Sequence, residues 1–125
     1  MKSLKTKFLS VMFGDLATDA AAIQLYAFEQ GGHWPKARRF TSLRDATEYA
    51  DANSDKNIFF NCSLMATSAK RGASKDARVL PALFADIDTA DGEHGGSRAT
   101  KEEVLAMLED GFDVPPPSIL VDSGG

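Results

Sequence analysis

A single cysteine, Cys62, in 125 residues excludes an internal disulfide and any zinc or iron–sulfur centre built on several thiolates. No apolar run approaches the roughly 18 residues a bilayer span needs. The opening MKSLKTKFLSVMFGDL lacks both a sustained hydrophobic segment and a small-residue cleavage site. These absences point to a cytoplasmic protein in a reducing compartment, with no membrane partner. Basic charge is not in excess either: 14 Lys and Arg stand against 18 Asp and Glu, for a net charge of −4. A basic coat that grips nucleic acid nonspecifically is therefore excluded, and any such contact must be local or metal-assisted. Internal repeats and low-complexity tails are also missing.

What is present is apolar material for one core, 43% hydrophobic residues with 26% charged, so residues 1–125 read as a single α/β domain. Thr18 is placed to cap a helix over Asp19 to Gln30, with Ile23, Tyr26 and Ala27 as its apolar face and Gly31-Gly32 as its stop. His33-Trp34-Pro35 reads as a turn. Ser42-Leu-Arg-Asp45 opens a second helix that turns Leu43, Ala46 and Ala50 to the core and frays around Asp51 to Asp55. Ile58-Phe59-Phe60 is a short strand, and Thr67 to Arg78 is a polar loop or frayed helix carrying Lys70, Arg71, Lys75 and Arg78.

The second half has a different rhythm. Leu80 to Asp88 predicts a strand with Leu83, Ala85 and Ile87 on one face and Phe84, Asp86 and Asp88 on the other. A Gly- and Asp-rich loop, Thr89 to Ala99, leads to the capping box Thr100-Lys-Glu-Glu103. Val104, Leu105 and Leu108 then form the stripe of a helix ending at Gly111, and Pro115 to Pro117 stiffen the entry to a final strand, Ser118 to Val121. Strand, helix and strand in this order predict a parallel βαβ crossover. A strand that runs into Asp122-Ser123-Gly124-Gly125 reads as the interior of a longer domain, with a naturally short protein as the alternative.

The chemistry follows from spacing. On a strand, Asp86 and Asp88 point the same way and can share one or two hard divalent cations, the clamp used in phosphoryl and nucleotidyl transfer. Aspartates also commonly mark strand ends, so the pair alone reads as a solvated edge too. In a parallel crossover Asp88 and the Ser-Gly-Gly turn share the carboxyl ends of neighbouring strands, where Gly124 and Gly125 let a phosphate approach backbone amides. Lys70, Arg71, Lys75 and Arg78 either steer a triphosphate or template towards the acidic strand or form a solvated loop. An EF-hand is disfavoured because Gly92 falls one place late and Ser97 stands where Glu is needed. His33 and His94 read as exposed loop residues before metal ligands or proton carriers. Cys62 reads as a small buried hydrophobe, and Phe59, Phe60 and Phe84 as core residues before base-stacking platforms. Asp-Ser-Gly-Gly is not a nucleophile elbow.

Taken together, Phe59-Phe60-Asn61, Lys70-Arg71-Gly72, Leu80 to Asp88 and Pro116 to Gly125 resemble the archaeo-eukaryotic primase superfamily, above all the primase-polymerase domains of phages and plasmids. The resemblance covers about the second half of the chain. It implies a partial primase-polymerase catalytic domain with a parallel βαβ unit, lacking the RRM-like second half. It further implies Asp86 and Asp88 as ligands of catalytic Mg2+ or Mn2+, and Ser123, Gly124 and Gly125, with Lys70 and Arg71, as nucleotide-binding residues. Nucleoside triphosphates and a DNA template are the implied partners, with a 3′-hydroxyl attacking the α-phosphate. In the superfamily the turn continues to a histidine, and a further acidic ligand follows; neither His33 nor His94 stands at that histidine position. Little or no primer synthesis by this chain alone is the expectation. A metal-dependent nuclease and a noncatalytic replication accessory or protein-interaction domain are the alternatives, and an incomplete sheet would be covered by self-association or a completing chain.

Overall fold

Ser3 begins the first element: its hydroxyl accepts the Thr6 amide at 3.1 Å, and α1 runs Leu4–Phe13 until Gly14, at φ 50°, ends it. The computed structural model describes residues 2–69, 72–90, 96, 98–110 and 116–121. It divides into two compact units, Met1–Leu83 and Phe84–Gly125. The sequence reading assigns no element to the α1 segment, although Ser3 and the spacing of Phe8, Leu9, Met12 and Phe13 carry the signal of a capped amphipathic helix.

In Met1–Leu83, a three-stranded antiparallel sheet of order β2-β1-β3 is built from β1 (Ile23–Phe28), β2 (Arg38–Phe40) and β3 (Asn57–Phe60). β1 replaces the helix expected over Asp19 to Gln30. Its residues fit two periods at once, and strand pairing on both sides decides between them: Ile23 and Leu25 are fully buried on one face, while Gln24 and Tyr26 point to the other. Thr18 does hold backbone amides, but those of a turn. Its hydroxyl accepts from Ala20 and Ala21 at 3.3 and 3.2 Å, and its own amide donates to the Ala21 carbonyl at 2.8 Å.

The second helix is where its cap places it. α2 spans Leu43–Ala52, with the Ser42 hydroxyl accepting the Asp45 amide at 3.2 Å. Ala46 and Ala50, one turn apart, are fully buried. The two helices are joined by polar contacts: Thr6 donates to Asp51 at 3.1 Å, and Lys5 Nζ reaches the carbonyls of Ser54 and Lys56 just beyond α2 at 3.1 and 3.2 Å. The core lies between helices and sheet, where the Phe60 ring meets Phe8 and Phe13 edge-on at centroid distances of 5.1 and 6.2 Å. A second ribbon pairs β4 (Leu64–Met65) with β5 (Ala77–Val79), antiparallel, beyond a 3-10 turn at Ser74–Asp76.

The expected strand Leu80 to Asp88 is not formed. β5 ends at Val79, Pro81 supplies no amide to a ladder, and Leu83 and Ile87, expected on one face of the strand, are 93% and 49% exposed. The described part of the final segment, Ser118 to Val121, is likewise not a strand, with Leu120 60% exposed. The parallel βαβ crossover is therefore absent among the described residues, whose strand pairs are all antiparallel. A mixed α and β fold remains. In Phe84–Gly125 the described helix, α3 (Lys101–Asp110), does match its prediction: the Thr100 hydroxyl accepts the Glu103 amide at 3.2 Å and the Glu103 carboxylate accepts the Thr100 amide at 3.0 Å. Among the described residues no helix is long and apolar enough to cross a membrane.

Candidate functional site

Asp86 and Asp88 lie in Phe84–Gly125, both exposed, on backbone without regular secondary structure. The strand alternation that was expected to align their carboxylates is missing, so their common direction does not follow from pleating. Beyond them the Ala90 amide donates to the Ala99 carbonyl at 2.8 Å. Arg98 Nη2 lies 4.0 Å from Asp88 Oδ2. With both side chains solvated, this pairing is a weak electrostatic tether. Arg98 was not singled out by the sequence reading. Its place beside Asp88, ten residues away in the chain, has no local signature.

The donor chemistry of the pair fits a hard divalent cation. Magnesium takes oxygen ligands, retains several waters, and is commonly held by one or two carboxylates together with substrate phosphates. Among the described residues no group of three or more His, Cys, Asp and Glu side chains is gathered for a metal ion. Asp86 and Asp88 are two carboxylates, short of such a group.

The remaining expected site residues divide by position. Lys70, Arg71, His94, Ser123, Gly124 and Gly125 lie outside the described residues. Lys75 and Arg78 are exposed in Met1–Leu83, and Arg78 Nη1 donates to the carbonyls of Lys75 and Ala77 at 3.2 Å each, which ties it to its own turn. His33 is exposed. Cys62, expected to be buried, is exposed because it sits on the short connection from β3 to β4. Phe59 and Phe84, expected in the core, are 44% and 47% exposed, whereas Phe60 packs on α1 as expected.

Comparison of the chain with protein-family models, with curated proteins and with solved structures finds no match.

Proposed function

We propose that this chain contributes the metal-binding aspartates of a DNA primase-polymerase-type nucleotidyltransferase of phage or plasmid replication, its architecture being part of that catalytic domain. The observation that carries the reading is the exposed pair Asp86 and Asp88, one residue apart, with a guanidinium held beside it. The order of acidic motif, capped helix and Pro-Pro segment leading to Ser-Gly-Gly supports it, and α3 is formed between the two motifs.

In this reading Asp86 and Asp88 hold Mg2+ or Mn2+. When bound, the ion would supply charge neutralisation at an attacking 3′-hydroxyl and at departing pyrophosphate. Arg98 limits the negative charge around Asp88. Ser123, Gly124 and Gly125 receive the triphosphate on backbone amides. Little or no primer synthesis by the pure chain is expected.

The test is equilibrium binding of a fluorescent nucleoside triphosphate with and without Mn2+. Manganese-dependent binding that falls at least about tenfold in Asp86→Asn/Asp88→Asn supports the proposal, since metal-bridged phosphate contacts vanish with the ligands. Equal binding by chain and variant contradicts it. Metal-dependent cleavage of DNA, abolished by the same substitutions, would assign the pair to a nuclease instead.

A further inference from the structure

Large apolar side chains that meet solvent are scattered along the chain, and most stand where the backbone is already committed. Leu4 and Val11 lie in α1, Phe59 in β3 and Met107 in α3, each on hydrogen-bonded backbone. Leu16 sits just past α1, its amide donating to the Phe13 carbonyl at 3.0 Å. Trp34 and Leu80 lie outside helix and strand, but each is followed by a proline, Pro35 and Pro81.

The stretch from Pro81 to Ile87 is the exception. Leu83 is 93% exposed, the highest value among the large apolar residues described, and Phe84 and Ile87 beside it are half-exposed. Neither helix nor strand covers these residues, and among the described residues none pairs with their backbone N–H and C=O groups. The boundary between the two compact units falls here, between Leu83 and Phe84. Every buried side chain described lies on its amino-terminal side, and Asp86 and Asp88 lie on the other.

An endopeptidase asks three things of a substrate. The backbone must be free to enter its cleft, a side chain must fill the pocket on the acyl side of the scissile bond, and the next nitrogen must carry a proton and no ring. Helices and strands fail the first, and Trp34 and Leu80 fail the third. Leu83 and Phe84 meet all three. Leu120 is also exposed outside helix and strand, but a cut there leaves the two units joined.

We propose that the Leu83–Phe84 peptide bond is a processing site for an endopeptidase selective for large apolar side chains, and that cleavage releases Met1–Leu83 as a folded unit without the aspartate pair. Water is the co-reactant: the carbon–nitrogen bond breaks, the water oxygen stays on the Leu83 carbonyl carbon as a carboxylate, and the Phe84 nitrogen leaves as an amino group. The released unit keeps Phe13, Ile23, Leu25 and Leu64, fully buried residues that build its core. Nucleotidyl transfer plays no part in this, since exposure and backbone pairing alone select the bond, and the test contains neither Mn2+ nor nucleotide.

The full chain would be digested under native conditions with a trace of chymotrypsin, whose pocket takes large apolar side chains, and the products followed by intact mass. The first cut is expected after Leu83 or Phe84, leaving an amino-terminal product that persists as the intact chain disappears. Phe84→Pro removes one such side chain and places a ring on the nitrogen after Leu83, so the first cut should slow at least about tenfold with an unchanged melting temperature. Leu83→Ser/Phe84→Ser, which keeps an ordinary backbone, should slow it in the same direction. A first cut after Leu16, Trp34 or Phe59, or within α3, would overturn the proposal. So would an amino-terminal product lost as fast as it forms, or cleavage of Phe84→Pro at the same place and rate as the unsubstituted chain.

Discussion

Gly72 takes φ +75° directly against the carboxamide of Gln24, so a methyl group there meets both left-handed backbone strain and a buried side chain already engaged with Tyr26 and Arg39. Gly72→Ala is expected to lower stability by about 1–3 kcal/mol, read as an earlier urea midpoint with an unchanged slope. Asp45 is a milder case. Hydrogen bonds from Arg44 and from the Ser42 side chain hold its carboxyl below the usual carboxylate range. A lowered folded-state pKa adds stability that is fully present above the unfolded value and is lost as pH falls through the folded one. Acid titration of the melting temperature should therefore show a small loss across that window that Asp45→Asn lacks, the group being solvent-exposed. At this scale the sequence exposes residue type and spacing, which is enough to single out Asp86 and Asp88. It does not expose Arg98 or Gln24, because each meets a partner well removed along the chain.

Helix caps are the elements most legible from residues alone, since a Ser or Thr hydroxyl and the amide it accepts lie within one turn. Ser42 and Thr100 act as expected, and Ser42→Ala should cost about 1 kcal/mol by denaturant unfolding. β1 stands where the residues also suit a helix, because Ile23, Tyr26 and Ala27 satisfy a helical period while Ile23 and Leu25 satisfy a strand period. The pairing of β1 with both β2 and β3 is a long-range fact that settles the matter. The same reasoning covers the strands expected over Leu80 to Asp88 and Ser118 to Val121. Apolar β-formers make a strand only where a neighbouring strand completes the hydrogen bonds, and β5 stops at Val79.

At the scale of the whole molecule, burial among the described residues is concentrated in Met1–Leu83. Every fully buried apolar side chain among the described residues, from Phe13 and Ile23 to Leu64, lies in that unit, whereas α3 buries no residue fully. Local stability follows burial, so amides of β1, β3 and α2 should exchange far more slowly than those of α3. Equal protection across both units would show that Phe84–Gly125 has a core of its own strength. Topology was the least legible level: strand, helix and strand in sequence suggested a parallel crossover, but sheet order depends on which strands meet, and the ones that meet are joined antiparallel.

The aspartate pair is the centre of the functional account, and Mn2+ titration of the full chain followed by electron paramagnetic resonance tests it most directly. The account predicts saturable loss of the free-ion signal by the natural chain and no such loss by Asp86→Asn/Asp88→Asn. Identical titration curves for the two proteins would contradict it.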